Sequence, residues 1–230
     1  MAEALVVPTR FRGPLESGNG GWVCASVAAH VDGDAEVTLR QPPPLQKPLA
    51  IELDPPGVQM VDGDDLIATA KPISLSLDAP APITPAEARQ VPAKYGGEGI
   101  VGECFSCGRD REPGDGLCLY TGEIDGRPDT LGVYWSPDAS LGRPDGSVPD
   151  PIVWAALDCP SGWVHIRNGN LALLGRMAAR VTGDVRVGAD YAIVAAPTGV
   201  DGRKQHSVSA LYDDAGALLA FARATWVKLD

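Results

Sequence analysis

Phenylalanine and methionine are scarce in this 230-residue chain, at three each. Alanine and valine must therefore fill much of its core. Histidine is equally sparse: His30, His165 and His206 are scattered along the sequence. That spread offers little to a histidine-based metal centre, and without a Gly-x-Ser-x-Gly elbow a Ser–His–Asp triad has no nucleophile turn to stand on. Gly-x-Gly-x-x-Gly and P-loop patterns are absent as strand-to-helix elements, which argues against nucleotide-binding folds. No apolar run reaches the length of a bilayer span. The first ten residues lack a basic segment followed by a long apolar one, so a leaderless, cytoplasmic chain is expected. Positive charge is in deficit, 19 Lys and Arg against 30 Asp and Glu, for a net charge of -11. Such a chain repels nucleic acid and anionic lipid, and neither nucleic acid nor membrane is an expected partner.

What is present is a globular composition, 44% hydrophobic and 21% charged, with abundant glycine (27) and proline (21). The length suits one large domain or two small ones. Five cysteines, an odd number, suit reduced thiols better than a disulfide framework.

The stretch from Val148 to Trp163 holds an apolar run, Ile152 to Leu157, that can form a helix. Pro151 suits a first turn, and Pro160 and Gly162 predict its end. Asp158 is the one acid inside this run, and a carboxylate there must be solvated, paired or useful. A second short apolar helix is predicted over Trp22–Val31, after the glycine-rich Glu16-Ser-Gly-Asn-Gly-Gly-Trp22 loop. Strands are predicted over 4–12, 35–40, 49–53, 66–71, 117–121, 130–135, 172–181, 190–196, 206–212 and 217–227. Asp62-Gly-Asp-Asp65, Asp201-Gly202 and Asp213–Gly216 supply hairpin turns. Ile73 to Gly97, rich in proline, reads mainly as a solvated linker. The order is the same on both sides of it: arm or strand, Pro/Gly-rich loop, short apolar helix, antiparallel meander. The expected division is 1–75, a linker over 76–100, and 101–230.

One helix across an antiparallel sheet, twice over, is the hotdog arrangement. Residues 102–230 resemble hotdog thioesterases of the phenylacetate-pathway type. The motif is Cys104-Phe-Ser-Cys-Gly108 followed by Pro113 and Gly114-Asp-Gly-Leu117. Glu112 stands where the family has Asn. Asp158, in Ala155-Ala-Leu-Asp158, matches the family's helix acid. The Gly-Gly pair that usually precedes that helix is missing here and stands instead in the first half, as Gly20-Gly21. Residues 1–72 share only the architecture.

The fold class is thus expected to be α+β, a double hotdog with two antiparallel sheets, each wrapping a central helix. The resemblance implies an acyl-CoA thioesterase without cofactor, acting on an acyl-CoA or acyl-carrier thioester. A helix carboxylate would act as base or nucleophile, and a backbone N–H at a helix start, near Pro151 to Val153, would hold the carbonyl oxygen. Asp158 is the catalytic candidate. Asn19 joins it if the first-half loop lies across the interface, although a turn-capping role suits Asn19 as well. Trp22, Trp154 and Leu157 are candidates for the acyl pocket, while Arg203 and Lys204, at a hairpin tip, could hold a phosphate. Trp163 stands where a hydratase would carry His, which disfavours dehydration. The alternative is a double hotdog that binds an acyl or lipid ligand without catalysis. A homodimer through exposed sheet edges is a further partner expectation.

Cys104-x-x-Cys107 lacks the second pair that a four-ligand zinc site needs, so no metal is expected. The two thiols read as small buried groups in a turn beside Phe105.

Overall fold

The computed structural model describes residues 3–14, 16–169 and 171–229. The first half contributes β1 (Glu3–Val6), α1 (Gly20–Ala28), β2 (Ala35–Leu39), β3 (Pro48–Asp54), β4 (Gly57–Asp62) and β5 (Asp65–Pro72). After a short helix, α2 (Pro85–Ala88), come β6 (Gly122–Ile124), β7 (Arg127–Trp135), α3 (Asp150–Ile166), β8 (Ala172–Val181), β9 (Tyr191–Asp201), β10 (Lys204–Tyr212) and β11 (Leu218–Lys228).

The two expected sheets run together as one. A single antiparallel sheet of eleven strands has the order β1-β3-β4-β5-β2-β8-β11-β10-β9-β7-β6. Its joint is the β2–β8 pair, with Val37 opposite Met177, Glu36 opposite Ala178 and Thr38 opposite Arg176. Both helices lie on the same face of this sheet and pack on each other.

Side-chain alternation explains how one sheet supports two cores. Met177, Ala179, Tyr191, Ile193, Leu211, Ala220 and Ala222 belong to the core cluster that contains both helices. Their strand neighbours Ala178, Ala192, Val194, Ala210, Tyr212 and Phe221 belong to a second cluster, as a two-residue period requires. What covers this second face is residues 73–91, the segment expected to be a solvated linker. Leu75, Ile83 and Ala88 are buried there. Arg127 donates to the Ala81 and Pro82 carbonyls at 2.7 and 2.9 Å. The reason is apolar area: a sheet with apolar side chains on both faces has to cover both. Thr84 and Glu87 cap α2 reciprocally.

Asp34 and Arg180 fasten this segment to the joint. Arg180 Nε donates to Asp34 Oδ1 at 2.8 Å, and Arg180 Nη2 donates to both Asp34 Oδ2 and the Leu75 carbonyl. The Arg180 guanidinium holds the Asp34 carboxyl below its usual range. A carboxyl lowered by folding stabilises the native state above its unfolded value of about 3.9, and the gain disappears as pH falls through the lower folded value. Asp34→Asn is therefore expected to cost about 1 kcal/mol at neutral pH, since Arg180 is partly exposed. The difference from wild type should shrink below about pH 4. Urea denaturation across that range measures it, and an undiminished difference at acid pH would contradict the pairing.

Three further differences from the sequence reading have local causes. Residues 117–121 form no strand; they run as a loop bonded to the turn at 105–106, with Leu117 N–H on the Phe105 carbonyl and Leu119 N–H on that of Ser106. β4 was not expected, because Pro55-Pro56 hides the turn that leads into it. Helix α3 does not stop at Pro160 but runs 17 residues to Ile166. Serine hydroxyls meet carbonyls near Pro160: Ser209, from β10, donates to Leu157 O at 2.8 Å, and Ser161, within the helix, donates to Asp158 O at 2.7 Å. Gly162 is a packing position, not a stop. A Cβ there would lie 2.6 Å from the Trp226 ring.

Candidate active site

Asn19 opens α1. Its Oδ1 accepts from the Trp22 N–H at 2.9 Å, the bond of an N-cap. The helix thus begins two residues earlier than the apolar run suggests, and the Gly20-Gly21 pair forms its first turn. Gly21 lets α1 meet α3 backbone to backbone. A Cβ on it would lie 2.6 Å from the Trp154 carbonyl oxygen, 2.7 Å from Asp158 Cβ and 3.0 Å from Ala155 Cα.

That close approach delivers the α1 N-terminus to Asp158. The Gly21 N–H donates to Asp158 Oδ2 at 2.9 Å, and Asn19 Nδ2 donates to the same oxygen at 3.2 Å. Asn19 Nδ2 also reaches Ser106 Oγ at 3.0 Å, and the Ser106 hydroxyl donates to the Ala155 carbonyl at 2.7 Å. Asp158 is 2% exposed, and its Oδ1 has no hydrogen-bond partner among the described residues. Burial pushes its carboxyl up to about 7, against the opposing pull of the Gly21 and Asn19 donors. A group poised there can take or give a proton near neutrality.

The carboxylate borders a cavity of about 330 Å³ between the α1 entry, α3 and the ends of β8 and β11. Asn19, Gly20, Cys159 and Trp163 line it with Asp158, and Leu173, Leu174 and Trp226 are among its apolar wall residues.

The structure thus brings Asp158 and Asn19 together, one from each half of the chain. The expected donor end differs: the helix terminus at the carboxylate is that of α1, not Pro151 to Val153, whose Ile152 and Val153 are buried in the core. Trp22 stacks on Phe11 with ring centroids 4.7 Å apart, and Trp154 and Leu157 are buried in the core cluster; none of the three lines the cavity. Arg203 and Lys204 are exposed at the β9–β10 tip. The Arg203 carbonyl accepts from the Lys228 N–H, one residue from the cavity-lining Val227 and Leu229. His165 donates through Nε2 to the His206 carbonyl at 3.0 Å, which ties α3 to β10 and is a structural use.

Sequence reasoning missed Ser106. The signal available was a hydroxyl inside the otherwise apolar Cys-Phe-Ser-Cys turn, and buried hydroxyls need partners. Ser106→Ala removes one acceptor of Asn19 Nδ2 and the donor to Ala155 together. It is expected to cost about 1–3 kcal/mol, read as a lowered midpoint in chemical denaturation; an unchanged midpoint would mean the network does not hold the two helices in place.

No protein-family model matches the sequence, and no curated protein matches it. Solved structures do match. A conserved hot dog-fold protein of unknown function from Alicyclobacillus acidocaldarius aligns over 96% of this chain and 90% of its own, with a TM-score of 0.62 at 13% identity. A TesB protein of Mycobacterium avium subspecies paratuberculosis aligns over 95% and 90%, with a TM-score of 0.62 at 14% identity. A thioesterase superfamily protein aligns over 49% of this chain and 57% of its own, with a TM-score of 0.45 at 13% identity; the match thus spans little more than half of that relative. The chain thus has the hotdog fold.

Proposed function

We propose that this protein hydrolyses an acyl thioester carried by coenzyme A or an acyl-carrier group, with Asp158 as the base that activates water. The observation that carries this reading is the state of the Asp158 carboxylate. One oxygen is fixed by the Gly21 N–H and Asn19, the other is unpartnered, and the group borders an apolar cavity at a helix N-terminus. Water would add to the thioester carbonyl while Asp158 takes its proton. The N–H of Gly20, the first-turn residue of α1 that lines the cavity, would stabilise the oxyanion with the helix dipole behind it, since the Gly21 and Trp22 N–H groups are taken by Asp158 and Asn19. Collapse of the adduct would break the carbon–sulfur bond, and the proton would pass from Asp158 to the leaving thiolate. Leu173, Leu174 and Trp226 would hold the acyl chain, and the Arg203-Lys204 tip would meet a phosphate of the carrier.

The test is coenzyme A release, followed chromatographically, from acyl-CoAs of graded chain length. Turnover above the spontaneous rate for at least one length supports the reading. No turnover with any acyl-CoA or with acyl-carrier thioesters would overturn it. One observation favours the non-catalytic alternative, an acyl-binding protein: at 2% exposure Asp158 is nearly sealed. Saturable acyl-CoA binding without turnover would establish that alternative.

A further inference from the structure

Counted along the sequence, Cys104 and Cys107 stand alone and fall short of a metal site. The fold adds a third thiol. Cys159, the residue after Asp158 on α3, brings its Sγ to 3.6 Å from that of Cys104. The three sulfur atoms of Cys104, Cys107 and Cys159 all lie within 4.8 Å of one another. They are buried, at 3%, 3% and 8% exposure, yet all three border the cavity.

The loop that carries the first two thiols is folded into a tight knuckle. The Gly108 N–H donates to the Cys104 carbonyl at 2.8 Å, and the Gly97 N–H donates to that of Cys107 at 2.7 Å. Gly108 has to be glycine, because a Cβ would lie 2.2 Å from the Gly102 carbonyl oxygen and 2.6 Å from Cys104 N. A two-residue spacing on a tight turn, plus one sulfur from a separate element, is a ligand arrangement common to zinc sites. Sulfur atoms about 2.3 Å from a tetrahedral zinc stand about 3.8 Å apart. The Cys104–Cys159 separation of 3.6 Å is close to that edge, and the other two, within 4.8 Å, would have to shorten by at most about 1 Å. A disulfide would need a much shorter contact, about 2.05 Å, and would leave the third thiol without a role.

We propose that Cys104, Cys107 and Cys159 form a three-thiolate site for one zinc ion, with its fourth coordination position open to the cavity. Each thiol that binds gives its proton to solvent. The inference stands apart from the hydrolysis reading, because metal content and thiol protection report it whether or not thioesters are turned over.

The experiment uses the full chain, purified with a phosphine reductant, stripped by chelation and dialysed, then titrated with cobalt(II) or zinc(II). One equivalent of cobalt should develop thiolate-to-cobalt charge-transfer absorption, and one equivalent of zinc should abolish it. Zinc should also slow alkylation of Cys104, Cys107 and Cys159 while Cys118, outside the cluster, labels as before. Cys159→Ser should weaken zinc binding by about 100-fold or more, exceeding the usual loss from an outer-shell change, and Cys118→Ser should leave it unchanged. Should Cys159→Ser fail to fold, the protection pattern in the wild-type chain decides. Absence of both the charge-transfer band and zinc-dependent protection would overturn the proposal. So would a Cys104–Cys159 disulfide that forms in preference to metal binding under the same conditions.

Discussion

Asp158→Asn is expected to lower kcat/KM for acyl-CoA hydrolysis by about 10²- to 10⁴-fold, the range that a positioned base contributes. The substitution nearly preserves shape. The new amide oxygen can still accept from the Gly21 N–H and Asn19 Nδ2, so the contact between α1 and α3 survives. What is lost is the basic oxygen. The fold should tolerate the change well, because a carboxylate that is 2% exposed with one oxygen unpartnered is costly to bury. A thermal midpoint at or above that of wild type, together with the fall in turnover, would separate a chemical role from a structural one. Equal kcat/KM in the two proteins would remove Asp158 from the mechanism. The KM split carries more information: an asparagine side chain has almost the volume of the acid, so substrate binding should change little and the loss should fall mainly on kcat.

How this site could be read before the fold was known depended on which signals were local. Asp158 was legible because it is a lone acid in an apolar run, and the partner loop was legible because the chain repeats its order of elements. Asn19 followed from those two together. The third thiol was not legible: Cys159 lies 52 residues beyond Cys107, and no spacing rule connects a knuckle to a helix that the sheet brings beside it. The end of α3 was misread for a related reason. Proline removes one ladder bond, but the Ser209 hydroxyl on the neighbouring Leu157 carbonyl and the packing of Trp226 on Gly162, which hold the helix on past it, come from tertiary structure. The covering of the sheet's second face by residues 73–91 was hidden because Leu75, Ile83 and Ala88 lie among prolines without any period of 2 or 3.6. Strands β8, β10 and β11 were legible to within two residues, since each carries its own alternation and turn, whereas β9 runs on to Asp201, five residues past its expected end.

The two halves repeat an order of elements, yet they are unequal. The first half supplies the helix N-terminus, the Gly20-Gly21 turn and Asn19, and the second supplies the carboxylate. In α1 nothing corresponds to Asp158, and before α3 nothing corresponds to the glycine pair. Neither half holds a complete set, and the β2–β8 joint fixes their relation.

Gly21→Ala therefore has the second large expected effect, on stability and turnover together. At an ordinary position in a first helical turn the change to alanine would be favourable or neutral. Here the new methyl meets the Trp154 carbonyl oxygen at 2.6 Å, Asp158 Cβ at 2.7 Å and Ala155 Cα at 3.0 Å, two of which belong to the α3 backbone. Backbone cannot rotate away, so the helices must separate, with an overpacking cost of about 3 kcal/mol. For a chain of this size that is a thermal midpoint lower by roughly 6–12 °C. The same separation lengthens the Gly21 N–H to Asp158 bond and moves the base relative to the α1 terminus. Misplacement of about 1 Å can cost about 100-fold in rate, so kcat/KM should fall by that order even at a temperature where the variant is fully folded. Gly20→Ala is the control. Its Cβ would meet the Leu174 side chain, with Cδ2 at 2.7 Å, and that branch can swing aside. Its stability should stay within about 1 kcal/mol of wild type. Gly20 and Gly21 variants that behave alike would show that the crossing of the two helix backbones is not what holds Asp158 in place.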